Sequence, residues 1–149
     1  GKLVKWVATN NCFFSKKILN KSNITFDLDL ANYGGSDQLF FSELSKRQFK
    51  IKWNKNSIIT ENPNPGREKK IWFLRRNLRY GYSGNLIDKK IYGKISFIII
   101  FLKIFYLIFC ALFFLILPTR KNIIRSLFLL SKALGRFIGI FDYKPKKYI

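Results

Sequence analysis

The side chain with the clearest capacity for chemistry is Asp37, which ends the run Gly34-Gly35-Ser36-Asp37 and is followed at once by Gln38-Leu39-Phe40-Phe41-Ser42-Glu43-Leu44. Two glycines can take positive φ and turn the backbone sharply, and an acidic residue just after them sits where a helix N-terminus favours a carboxylate. Leu39, Phe40, Glu43 and Leu44 then read as a short helix with one apolar side. A carboxylate held at a loop-to-helix junction is reachable and oriented, as a general base for a hydroxyl must be. The plainer reading is that Asp37 caps its helix, and the two roles can coexist. Further polar candidates are Asn10 and Asn11, whose amides interrupt apolar sequence and must be satisfied by backbone or by a ligand. Arg75 and Arg79 are four apart with Arg76 adjacent, a spacing that predicts a cationic ledge able to grip phosphate or rest on lipid headgroups.

The elements that must position these residues fall into four stretches. Residues 1–66 alternate short strand and helix signals. Lys5–Thr9 reads as a strand, Ser15–Leu19 as a capped helix, Phe49–Trp53 as a half-exposed strand of period two, and Ser57–Glu61 as another strand. Asn62-Pro63-Asn64-Pro65-Gly66 stops both kinds of element and marks the edge of the soluble part. Residues 67–94 form a basic, aromatic stretch, helical to about Leu86, with Tyr80-Gly81-Tyr82-Ser83-Gly84 expected to loosen its end. Residues 95–118 are apolar apart from Lys103 and long enough to cross a hydrocarbon core of ~30 Å, either once or as a re-entrant turn. Residues 119–149 predict a helix over 122–141 lying in the membrane interface, with Lys121, Arg125, Lys132 and Arg136 near one face, and then a polar tail, Tyr143–Lys147.

Charge and composition narrow the function. The formal net charge is +20, from 28 basic and 8 acidic residues, and the excess sits on both flanks of the apolar run. Basic residues beside a membrane segment are drawn to anionic lipid, which makes lipid the first partner to expect and nucleic acid an unlikely one, since no zinc spacing or Gly-aromatic nucleic-acid motif occurs. One crossing would put a basic flank on each side of the bilayer, whereas a hairpin would keep both on the cytoplasmic face. With no histidine, histidine triads and histidine metal sites are excluded within this stretch. Cys12 and Cys110 lie in separate regions and suggest reduced thiols facing the cytosol rather than a disulfide framework.

In their order, these residues resemble the C-terminal part of a membrane-associated bacterial family 2 glycosyltransferase. Ala8-Thr9-Asn10-Asn11 with Lys16-Lys17 looks like the family's strand and loop near the acceptor. Phe26-Asp27, Gly34-Gly35-Ser36-Asp37 and Phe40-Phe41 resemble the stretch that ends on the family's base. Gln48–Trp53 through Ile59 and Glu61 look like the strands that follow. Arg67, Trp72-Phe73-Leu74-Arg75-Arg76 and Arg79-Tyr80-Gly81 are similar to the segment leading to the membrane, and Ala133-Leu134-Gly135-Arg136 to the tails of such enzymes.

The resemblance implies an α/β fold, the incomplete C-terminal portion of a GT-A domain followed by membrane-associated helices. It implies inverting sugar transfer from a nucleotide-sugar donor to a glycan or lipid-linked acceptor, in cell-envelope synthesis at the cytoplasmic face of the bacterial inner membrane. Asp37 would be the base, and Asn10, Asn11, Gly34, Gly35, Ser36, Arg75 and Arg76 would contact substrate. A divalent cation, Mg or Mn, would be held mostly by residues before Gly1, where the nucleotide-binding half with its Asp-x-Asp motif is expected. The stretch by itself is therefore expected to be inactive. It departs from the family in carrying Ser36 where many members have Glu, and in having no histidine near Thr60 and Glu61. The competing expectation is a non-enzymatic basic membrane anchor or assembly protein that binds anionic lipid.

Overall fold

The computed structural model describes residues 1–4, 7–62 and 64–141. Lys5 and Trp6 of the expected first strand, Pro63 of the expected boundary and the tail Tyr143–Lys147 lie outside the described residues. The chain divides into two units, Gly1–Ala31 with Gly35–Asn62, and Asn32–Gly34 with the residues from 63 onward.

In the first unit, Ser15 caps α1 (Lys16–Ser22) by accepting a hydrogen bond from the Lys17 amide at 3.3 Å, and Asn23 ends it in the left-handed region. Helix α2 (Ser36–Lys46) starts from Gly35, whose φ of 95° no branched side chain would tolerate. Its apolar side, Phe40, Phe41 and Leu44, closes on Ile24, with Phe14, Ile18, Leu19, Phe49 and Ile51 packed around it. Phe26 stacks on Phe40 at 4.3 Å between centroids, and Phe41 meets Phe40 edge-on at 5.1 Å. The Arg47 guanidinium donates to the Ser22 carbonyl and ties the end of α2 to the end of α1.

The sheet is small. Strands β1 (Leu3–Val4) and β2 (Ile51–Lys52) pair antiparallel, Leu3 with Lys52 and Val4 with Ile51. Thr9–Asn11 is a single 3-10 turn, and Ser57–Glu61 runs exposed and lies outside the two strands of the sheet. The protein is mostly helical.

The second unit is built from three helices, α3 (Lys70–Tyr92), α4 (Ser96–Ile116) and α5 (Arg120–Ile140). Asp88 and Lys103 are 15 positions apart, which in one straight helix would separate them by roughly 22 Å along the axis. Yet the Lys103 ammonium donates to the Asp88 carboxylate at 2.7 Å. The chain therefore folds back between them, at Gly93, whose φ and ψ of 56° and −126° only glycine adopts readily. A second reversal follows at Leu117-Pro118-Thr119, after which Thr119 caps α5 by accepting from the Asn122 amide at 3.3 Å. Between these reversals α4 is one unbroken helix of 21 residues, ~31 Å long.

Helix α5 packs chiefly on α3 and next on α4. It runs parallel to α3: Phe128 meets Phe73, the Ser131 hydroxyl donates to the Leu74 carbonyl at 2.7 Å, Gly135 lies on Leu78, and Gly139 lies against Tyr82 and Asn85. The crossing is backbone to backbone. A Cβ on Gly135 would overlap the Leu78 carbonyl, and one on Gly81 the Lys132 carbonyl, so both positions require glycine. Ser131, Gly135 and Gly139, spaced by four, form the small-residue stripe that lets membrane helices approach closely. For the same reason Tyr80-Gly81-Tyr82-Ser83-Gly84 stays helical rather than loosening.

Candidate functional site

Asp37 is the second residue of α2. The cap position belongs to Gly35, which offers no side chain, so the carboxylate is not the cap itself. It is half-buried, and its Oδ1 accepts from the Gln38 amide at 2.8 Å, a donor the first helical turn leaves unsatisfied. The helix dipole holds negative charge there. Gly34 and Gly35, with φ of 85° and 95°, set the bend, and Ser36 is the first helical residue.

The first unit also holds a cleft of about 450 Å³, lined by Asn11, Cys12, Phe14, Phe41, Lys52 and Trp53 among others. Its size suits a small organic ligand. Burial raises the pKa of the Cys12 thiol, and the Asp37 carboxylate raises it further. That coupling brings Asp37 within electrostatic reach of the cleft, although it does not line it. Asn11 has a partner that sequence could not supply: its amide donates to the Ser57 carbonyl at 2.9 Å and accepts from the Ser57 hydroxyl at 3.3 Å. Asn10 is exposed.

The three arginines of α3 separate. Arg75 is exposed, whereas Arg79 is buried. Arg76 lies between two rings, its guanidinium carbon 4.8 Å from the Trp72 centroid and 5.1 Å from that of Tyr80, and its Nε donates to the Tyr80 hydroxyl at 2.8 Å. Of the three, Arg75 points into solvent.

A second polar cluster, which sequence reasoning passed over, lies in the helical unit. Asp88, 4% exposed, accepts from Arg136 at 2.8 Å on Oδ2 and from Lys103 at 2.7 Å on Oδ1. Arg136, 7% exposed, also donates to the Asn85 side chain at 3.0 Å, and the Asn85 amide donates back to the Arg136 carbonyl. Lys132, one turn before Arg136 on the same helix, is half-buried. Lys103 stacks its ammonium 5.6 Å from the Tyr92 ring. The available signals were one lysine inside an apolar run, one acid among basic helices, and Gly135-x-x-x-Gly139.

This cluster inverts the expected arrangement of α5. Arg136 and Lys132 turn inward with Ser126, Gly135 and Gly139, while Ile123, Leu127, Leu130, Leu134, Phe137 and Phe141 are exposed along the other side. Helix α4 likewise exposes Phe97, Leu102, Phe105, Phe109 and Phe113. Polar inside and apolar outside is the pattern of helices that face lipid. The helical run Lys70–Ile116 contains a stretch long and apolar enough to cross a membrane, and that stretch is α4.

Among the described residues, no three acidic or cysteine side chains converge as a metal site would require. Compared with models of known families, with characterised proteins and with solved structures, the chain matches none.

Proposed function

We propose that this chain is the acceptor-side and membrane-binding part of an inverting glycosyltransferase, with Asp37 as the base, at the cytoplasmic face of a bacterial inner membrane. The observation that carries this reading is the posture of Asp37: a half-buried carboxylate fixed at the start of α2 by two positive-φ glycines. The paired strands β1 and β2 support it as well. Among the described residues this ribbon of two strands has open edges, a feature that the remainder of a larger sheet would share.

In this reading an acceptor hydroxyl approaches Asp37, which takes its proton as the acceptor oxygen attacks the anomeric carbon. The bond from that carbon to the nucleotide diphosphate breaks on the opposite face, and the diphosphate leaves with the electron pair. Asn11, Ser36 and the backbone of Gly34 and Gly35 would orient the acceptor. Arg75 lies on α3 and would meet phosphate or lipid headgroups. No step is assigned to a divalent cation.

The test is the intact gene product in its native membranes, supplied with labelled nucleotide sugars. Asp37→Asn is expected to lower transfer by ~10²- to 10⁴-fold while donor binding stays largely intact, and full turnover by the variant would remove Asp37 from the mechanism. The second reading, a basic membrane anchor, is favoured by the outward apolar faces of α4 and α5, which need no catalysis. Membrane binding by an intact gene product that transfers no sugar would select it.

A further inference from the structure

We propose that Lys103, Lys132 and Arg136 form a binding site for a phosphate group in the seam of the three-helix unit. The inference is independent of Asp37 and of the glycosyltransferase reading.

The argument is one of charge balance. Two cations on two helices, Lys103 of α4 and Arg136 of α5, share a single carboxylate, Asp88 of α3, and Lys132 stands one turn before Arg136 on the same side of α5. Asp88 is the one acidic residue between Lys70 and Ile140. Its two oxygens are already taken, one by Arg136 and one by Lys103. Lys132, half-buried one turn from Arg136, has no carboxylate of its own among the described residues of the helical unit. An unbalanced charge is costly beside apolar helix faces, and an anion bound among the three is the direct way to offset it.

Arg136 adds an independent observation. It is more than nine-tenths buried, yet its Nε has no hydrogen-bond partner among the described residues. Buried donors are normally satisfied, so this one points to a missing acceptor. Phosphate fits on three grounds: it carries the needed charge, it presents several acceptor oxygens, and arginine and lysine both bind it well. Lys103, with 40% of its side chain exposed, marks the side of the cluster that neighbouring helices do not fully cover. The group could belong to a lipid headgroup or to a soluble phosphate, since both present the same oxygens.

The experiment uses the whole chain in neutral maltoside micelles and follows thermal unfolding by circular dichroism. Three additions are compared: phosphatidic acid, diacylglycerol with the same tails, and inorganic pyrophosphate. Phosphatidic acid, pyrophosphate or both should raise Tm by at least ~3 °C at saturation, and diacylglycerol should not. A response to phosphatidic acid alone assigns a lipid headgroup, and a response to pyrophosphate assigns a soluble phosphate. Either supports the site.

Lys132→Gln is the decisive variant, because it removes a charge that pairs with no carboxylate in the seam. It should fold as well as the parent or better, and lose most of the phosphate-dependent rise. Arg120→Gln with Lys121→Gln, at the exposed start of α5, should keep it. No rise with either phosphate, a full rise in Lys132→Gln, or an equal loss in the Arg120 and Lys121 control would each overturn the proposal.

Discussion

Replacing Asp88 by Asn keeps the shape of the side chain and removes its charge, which isolates the electrostatic role of the seam. Two contacts change, and they are not equal. Arg136 lies 2.8 Å away with both side chains under a tenth exposed, whereas the Lys103 side chain is 40% exposed. Solvent screening leaves the Lys103 pair at up to ~1 kcal/mol. Removing one partner of a buried pair strands the other charge, at a cost of about 3–5 kcal/mol. Asn can still accept one hydrogen bond, so the lower end applies and Asp88→Asn should destabilise the helical unit by ~3 kcal/mol. Thermal unfolding in neutral detergent, without phosphate, reads this directly.

The single variant does not separate lost attraction from general damage, but a double-mutant cycle with Arg136→Gln does. With both charges gone neither is stranded, so the double variant should be more stable than the sum of the single losses implies, by ~2 kcal/mol or more. A coupling below ~0.5 kcal/mol would mean that Arg136 and Asp88 do not face each other in a dry seam. The packing of α5 on α3 around Asp88 would then lose its main support.

Two further outcomes are expected. Gly135→Ala should destabilise the unit by about 1–3 kcal/mol, because the added Cβ would also meet the Leu78 carbonyl carbon at 2.8 Å; Gly66→Ala, whose Cβ would meet the Asn64 side chain at 3.4 Å, should change stability by less than ~1 kcal/mol. Equal stability of the two variants in the same unfolding assay would refute the close α3–α5 crossing. In the first unit, the raised pKa of Cys12 leaves less thiolate at pH 8, so iodoacetamide should alkylate it more slowly than free cysteine. Asp37→Asn removes the second cause of that rise and should speed the reaction; an unchanged rate, followed by peptide mass spectrometry to separate Cys12 from Cys110, would place Asp37 away from the cleft.

Helices were legible in this sequence because their signals are local. Ser15 and Thr119 cap the helices that follow them, and the apolar run of α4 ends where Pro118 would break it. Strands were less legible because a strand exists only with a partner. Phe49–Trp53 alternates with period two; among the described residues Ile51 and Lys52 pair with β1 and the Trp53 amide donates to the Lys2 carbonyl at 2.8 Å. Ser57–Glu61 has the right residue types but stays exposed and, among the described residues, joins no strand. At Asp37 the sequence located the bend and the helix start, whereas the Asn11–Ser57 pair spans 46 positions and leaves no local trace. Arg76 looked available from its spacing, but neighbouring rings one turn away on either side claim it.

The reversal of α5 has a more general cause. A helical wheel shows that a helix has two faces, but the choice of which face turns inward depends on the medium outside, and a wheel does not encode that medium. With water outside, Leu127, Leu134 and Phe137 would be drawn into the core and Arg136 pushed to the surface. Here those apolar side chains are exposed, and Arg136 is buried against Asp88. Small residues decide between the two arrangements. Ser131, Gly135 and Gly139 allow backbones to touch but contribute almost no apolar area, so burying that stripe would stabilise a water-soluble helix very little. In lipid the hydrophobic drive between helices vanishes, and close packing with paired polar groups is what remains. The stripe and the buried ion pair are therefore linked consequences of one environment, and their conjunction on α5 argues for lipid more strongly than the hydropathy of α4 does.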